Sequence, residues 1–318
     1  MRRKQFIFII LLLAGANLLY AQSRDTLIEI AANPQAGFNY PYFLFIPGGC
    51  QKDMENYLFV ESNNTGAVND SFSVHEQAAK VQAQLGPLGN QLSRKLQTPY
   101  LVPVFPRPEK QWKIYTHILD RDAMLVSQGP MKRIDLQLIA MIRDAKEKLQ
   151  KAGYKIKIQV LMSGYSSSGV FANRFACLHP EFIKAYSAGG INGLLMMPYA
   201  QWNEEKLEYP IGVSDVKKLT GQDFNFDAFQ HVHQFLYMGE DDTNDAVQND
   251  DAYSDKERNL IYTAFGKIMI PDRWFACQLQ YKVATHNAQF RTYSGVGHEM
   301  NEDIMRDLIR FYSGAIKE

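Results

Sequence analysis

Short apolar runs alternate along this chain with longer stretches whose apolar positions recur at helical spacing. Tyr42-Phe43-Leu44-Phe45-Ile46, Tyr57-Leu58-Phe59-Val60 and Tyr100-Leu101-Val102-Pro103-Val104-Phe105 read as strands. Continuous apolar runs of this length suit a sheet that is covered on both faces. The segment 155–162 starts with alternation and turns wholly apolar through Val160, Leu161 and Met162, which predicts a buried strand. Segments 183–187, 235–238 and 289–293 continue the series. Between them, 74–96 predicts a helical stretch broken near Gly86-Pro87. Segment 134–149 predicts a helix with Leu138, Met141, Ile142 and Leu149 on one stripe, and 301–316 a closing helix with Ile304, Leu308, Ile309 and Tyr312 on one face. Strands alternating with helices predict an α/β fold, with a mostly parallel central sheet and helices on both faces. The length suits one large domain over 22–318, and the chain shows no internal repeat.

The segment 155–162 leads into Gly164-Tyr165-Ser166-Ser167-Ser168-Gly169, and 170–178 follows with Phe171, Phe175 and Leu178 at helical spacing. Strand, small-residue turn, serine and helix form the context of a nucleophile elbow. Such a serine sits on a sharp turn, and its neighbours two positions away must be small because strand and helix nearly touch. Ser166 meets this with Gly164 before it and Ser168 after it. Ser167 has bulky Tyr165 in the tight position, and Ser168 has Val170. On the hexapeptide alone, a plain turn with serines capping a helix is the competing reading. Downstream, the strand at 235–238 ends in Gly239 and is followed by the carboxylates Glu240, Asp241, Asp242 and Asp245. After the last strand, Gly295-Val296-Gly297-His298-Glu299 forms a glycine loop that can carry His298 over the sheet edge. Serine, acid and histidine thus follow in the order that a triad on such a sheet requires.

On these three motifs the chain resembles the α/β-hydrolase superfamily from about 40 to 312. It is most similar to secreted serine esterases of the polyhydroxybutyrate-depolymerase and feruloyl-esterase kind. The resemblance implies an α/β-hydrolase fold and cofactor-independent cleavage of a small-molecule or polymeric ester, with Ser166 as nucleophile and His298 as base. It places the acid three residues after the strand-ending glycine, at Asp242, with Asp241 and Asp245 as alternatives. It implies an oxyanion hole built from the Ser167 N–H and a second N–H at Asn64 or Thr65, where many relatives carry His-Gly. It also suggests that 189–233, with Leu194, Leu195, Met196, Met197 and Trp202, either caps the nucleophile or extends the core. A peptidase or amidase shares such a triad. A non-enzymatic binding protein of the same fold is the reading from another class, supported by Ser168 and the absent His-Gly.

The N-terminus adds a compartment. Met1-Arg2-Arg3-Lys4, an apolar run over 6–14 and Ala21 before Gln22 read as a secretory signal peptide over 1–21, cleaved after Ala21. The expected location is periplasmic or extracellular, with no membrane attachment after cleavage. Lys plus Arg and Asp plus Glu both number 34, which argues against nucleic acid as a partner. Cys50, Cys177 and Cys277 allow at most one intramolecular disulfide. His231 and His233 share a strand face without a third ligand nearby, so no metal is expected. The loop Trp112 to His117 with Asp120 reads as structural, with substrate contact as the sharper alternative, and Ser254-Asp255-Lys256-Glu257 reads as a helix capping box.

Overall fold

Alternating side chains on the central strands divide the interior into two layers. Tyr57 and Phe59 face one layer, while Leu58 and Val60 face the other, and Leu161 is likewise opposed to Val160 and Met162. These strands belong to an eight-stranded sheet in the computed structural model, which describes residues 24–317. In chain order the strands of this sheet are β1 (Thr26–Ile30), β2 (Tyr42–Ile46), β3 (Glu55–Val60), β4 (Tyr100–Pro103), β5 (Lys155–Tyr165) and β6 (Ile183–Gly189). After a separate two-stranded ribbon, β7 (Gln201–Trp202) with β8 (Glu205–Lys206), come β9 (His233–Gly239) and β10 (Ala288–Tyr293). The spatial order is β1-β2-β4-β3-β5-β6-β9-β10. β1 and β2 pair antiparallel, as do β2 and β4, and every other pairing within this sheet is parallel.

Helices cover both faces. α1 (Phe72–Leu85), α2 (Gly89–Leu96) and α10 (Glu302–Lys317) supply one layer through Ala79, Ala83, Leu92, Ile304, Leu308 and Tyr312. On the other face α4 (Ile134–Lys151) and α5 (Ser167–Leu178) bury Leu138, Met141, Phe171 and Phe175. Short α3 (Arg121–Leu125), α6 (Val216–Thr220) and α7 (Phe226–Gln230), then α8 (Asp255–Phe265) and α9 (Trp274–Ala284), complete the set. The expected interruption at Gly86-Pro87 separates α1 from α2. The Ser254 capping box opens α8, with Glu257 reciprocating.

Leu194, Leu195, Met196 and Met197 are buried in the main core cluster, and within 189–233 only Asn192 lines the cavities beside Ser166 described below. Cys50, Cys177 and Cys277 are free thiols, and burial pushes the Cys277 thiol up to about 12. No helix among the described residues is long and apolar enough to cross a membrane. The segment 1–21, expected from the sequence to be a signal peptide, lies outside the described residues.

Candidate active site

Strand β5 ends in a turn of unusual backbone geometry. Ser166 has φ 59° and ψ −127°, a conformation that L-residues rarely adopt and that costs on the order of 1–3 kcal/mol. Local hydrogen bonds hold it there. The Ser166 N–H donates to Gly189 O at 2.8 Å, and the Val170 N–H donates to Ser166 O at 3.0 Å, which launches α5. At Gly164 a Cβ would lie 2.0 Å from Ser168 O, so this position admits glycine alone. Ser168 is tolerated at the second tight position because its hydroxyl has local partners. Its Oγ accepts from the Tyr165 N–H at 3.0 Å and donates to Tyr165 O at 2.9 Å.

The sheet order brings the other expected residues to the same edge. β9 lies beside β6 and β10 beside β9, all parallel to β5, so the loops after them open on the same side of the sheet as the β5 elbow. Asp242, in the loop after β9, is 4% exposed, and its Oδ2 lies 2.8 Å from His298 Nδ1. A carboxylate only accepts, so Nδ1 carries the proton and Nε2 is left with its lone pair. The Asn244 Nδ2 donates to that lone pair at 3.1 Å. No hydrogen bond joins Nε2 to the Ser166 hydroxyl among the described residues; such bonds commonly tighten only when substrate is bound. Tyr165 packs on the imidazole with ring centroids 4.9 Å apart.

Neither alternative acid is hydrogen-bonded to His298 among the described residues. Asp245 forms a two-pronged pair with the fully buried Arg273, at 2.8 Å and 2.7 Å. Asp241 is exposed, and its N–H donates to Val296 O at 2.9 Å.

The loop after β3 is tied down from several sides. Asn63 accepts from the Phe105 N–H and donates to Phe105 O, both at 2.9 Å. His117 lies 2.8 Å from the same carbonyl, and burial pushes its imidazole down to about 3, so it stands neutral as a structural group. The Asn64 N–H is directed at Gln82 Oε1 at 3.2 Å, while Gln82 Nε2 donates to Ser62 O at 3.0 Å. The Thr65 N–H has no acceptor among the described residues. Ser167 is the first residue of α5, and the first N–H groups of a helix lack intrahelical acceptors. Its hydroxyl is 2.7 Å from Tyr115 Oη.

Two cavities meet at Ser166. One, of about 280 Å³, is polar and lined by Asn64, Arg107, Tyr115, Ser167, Asn192 and Asn244 among others. The second, of about 770 Å³, is an apolar groove along α1. Arg107 pairs with Asp251 in the polar cavity and stacks on the Tyr115 ring at 3.4 Å. Behind the elbow lies Glu61, whose Oε2 accepts from Tyr100 Oη at 2.7 Å and from the Gly89 N–H at 3.0 Å. Among the described residues no three of His, Cys, Asp or Glu gather as a metal site would require. Tyr115 comes from the Trp112–His117 loop already singled out in the sequence, whereas sequence reasoning missed Asn244, Gln82 and Glu61. Asn244 lay within the acidic run already singled out, while the other two touch the site only through tertiary packing.

No family model matches the chain, and a search of curated proteins matched none. Solved structures do share its architecture. Poly(aspartic acid) hydrolase-1 from Sphingomonas sp. KT-1 matches with a TM-score of 0.55 at 14% identity, covering 91% of this chain and 98% of that one. A poly(3-hydroxybutyrate) depolymerase from Bordetella parapertussis gives 0.51 at 16% identity, covering 87% and 85%. An S-formylglutathione hydrolase from Agrobacterium tumefaciens gives 0.51 at 12% identity, covering 92% and 94%. With its strand order, its strained serine turn and these structural neighbours, the chain has the α/β-hydrolase fold.

Proposed function

We propose that this chain is an exported serine hydrolase that cleaves carboxylic esters through an acyl-enzyme. The observation that carries the reading is the Asp242–His298 hydrogen bond of 2.8 Å at the sheet edge where Ser166 sits on its strained turn. In this reading Ser166 Oγ attacks the ester carbonyl carbon while its proton passes to His298 Nε2. The tetrahedral intermediate collapses as the carbon–oxygen bond to the alcohol breaks, and Nε2 returns the proton to the departing oxygen. Water then attacks the acyl-enzyme, again giving its proton to His298, and releases the acid and free Ser166. Asp242 holds the tautomer and stabilises the imidazolium. Before any of this, Asn244 must give up Nε2.

The Ser167 N–H is one oxyanion donor. The second is Asn64 or Thr65: Asn64 lines both cavities at Ser166 but must first release Gln82, while the Thr65 N–H is unengaged. One such donor contributes roughly a hundred- to a thousandfold in rate. The basic and apolar N-terminal segment supports export to the periplasm or the exterior, and protein recovered from its host should begin near Gln22.

A fluorophosphonate should label the purified protein at Ser166, and Ser166→Ala should lose both the adduct and turnover of an activated ester. Label on Ser167, or full turnover in Ser166→Ala, refutes the assignment. A panel of matched esters and amides separates esterase from peptidase action.

A further inference from the structure

Helix α1 is built inside out. Its sheet-facing positions are His75, Ala79 and Ala83, all buried, which lets the helix sit close to the sheet. Its outward stripe is the more apolar one. Val74, Ala78, Val81 and Leu85 follow at spacings of four, three and four, which is one helical face. Val74, Val81 and Leu85 are 43%, 46% and 76% exposed. Exposed apolar surface of this kind marks a place that meets a partner. The stripe runs about 16 Å along the helix axis. It forms one wall of the 770 Å³ groove, whose other lining includes Leu88, Met300 and Ser166 itself. An apolar group placed there therefore ends at the reactive hydroxyl.

The cavity on the opposite side of Ser166 has the contrary chemistry, with Arg107, Asp251 and asparagine amides. The two sides can be assigned to the two halves of an ester. Asn244 lines the polar cavity and touches His298 Nε2 at 3.1 Å. That nitrogen must hand its proton to the departing alcohol, so the alcohol leaves on the polar side. The acyl half then extends the other way.

Building on the serine-hydrolase reading above, we propose that the outer face of α1 is the acyl-binding surface and that the substrates are esters of extended apolar acids with a polar alcohol. The groove stays open to solvent, so a chain lying in it is about half covered. A fully buried methylene is worth about fourfold in binding, and half burial about twofold. Selectivity should therefore climb steadily with acyl length while the groove still has wall to offer.

The test is kcat/KM for p-nitrophenyl acetate, butyrate, hexanoate and octanoate, where only the acyl half changes. The wild type should prefer octanoate over acetate by roughly fiftyfold. Ala78→Trp, which fills the groove, and Val81→Glu, which puts a charge on its wall, should each bring that ratio close to one. Both positions lie on the solvent side of α1, and circular dichroism checks the fold. If turnover requires Ser166 but the wild-type ratio is flat, the acyl surface is refuted and the hydrolase reading stands. A steep ratio unmoved by either variant also refutes it, since the chain then lies elsewhere. If the stripe instead seats a second copy, Val81→Glu converts a dimer to a monomer on a sizing column and the ratio stays flat. Loss of the hydrolase reading itself would show as turnover that survives Ser166→Ala.

Discussion

Replacing Glu61 by glutamine should change how the stability of this protein depends on pH. Glu61 is 6% exposed and sits between the Ser166 turn and α2. Burial, partly offset by hydrogen bonds from Tyr100 and Gly89, pushes its carboxyl up from 4.5 to about 7. An acid raised in this way is held in its neutral form by the fold. Its contribution is complete below the unfolded value of 4.5 and is lost as pH rises through about 7. The interval corresponds to roughly 3 kcal/mol, of which about 2.5 kcal/mol falls between pH 5 and pH 8. Glutamine has the same shape and no charge at any pH. Its carbonyl oxygen can accept from both Tyr100 and Gly89, and its amide can donate to Ser168 Oγ, which lies 3.5 Å from Glu61 Oε1. The assay is urea unfolding of wild type and Glu61→Gln at pH 5 and pH 8. His117 and Asp120 also titrate away from their ordinary values, but both proteins contain them, so they cancel in the difference. The stability of the variant relative to wild type should rise by about 2.5 kcal/mol from pH 5 to pH 8. A difference that stays constant within about 0.5 kcal/mol over this range would show that the carboxylate is not destabilised by its burial.

Two further substitutions separate catalysis from architecture. Asp245→Asn leaves the buried Arg273 charge without its partner, which should cost about 3–5 kcal/mol in urea unfolding, whereas Asp242→Asn should leave stability nearly intact and lower kcat by up to about ten-thousandfold; the reverse pattern would move the acid to Asp245. Gly190→Ala would place a methyl 2.9 Å from both His298 Cε1 and the Tyr165 ring, at a backbone φ of +60°, so it should lower kcat steeply while fluorophosphonate still reaches Ser166 slowly; unchanged kcat would mean that the imidazole does not need its present seat.

What could be read along the chain was whatever is local. The elbow is local: an apolar strand, Gly164 and a helix-spaced Phe171–Phe175 pair declare themselves within a few residues of Ser166. The strand ending at Gly239 and the glycine loop before His298 are local as well. β1 gave no such signal, because Thr26-Leu27-Ile28-Glu29-Ile30 is an edge strand that stays largely exposed and lacks a clean alternation. The partner of Asp245 was not legible, because Arg273 lies 28 residues away and carries no sequence mark of its burial. Gln82 is similar, since a glutamine on an amphipathic helix looks like a solvated residue until the fold brings it to Asn64 and Ser62. Glu61 is the hardest case. Burying a carboxylate goes against the usual partition of charge, and only the convergence of α2, β4 and the elbow shows that it has partners.

The same few residues that hold the strained serine also hold the histidine, and this links the parts of the site mechanically. Tyr165 is the last residue of β5, so its backbone is fixed by the pairing with Gly189 on β6. Its N–H and C=O are clamped by Ser168 Oγ, which keeps the turn from relaxing toward an ordinary helix start. Its ring stacks on Tyr237 of β9 with centroids 6.2 Å apart, and packs at a tilt against His298 from the loop after β10. Gly190, directly after β6, leaves room for both rings by carrying no side chain. The serine turn and the imidazole thus share one aromatic side chain as a common contact. This arrangement explains how a positive φ at Ser166 can persist without a glycine. The strain is local, while the contacts that oppose its release come from three adjacent strands and are buried in the same core that holds the sheet together.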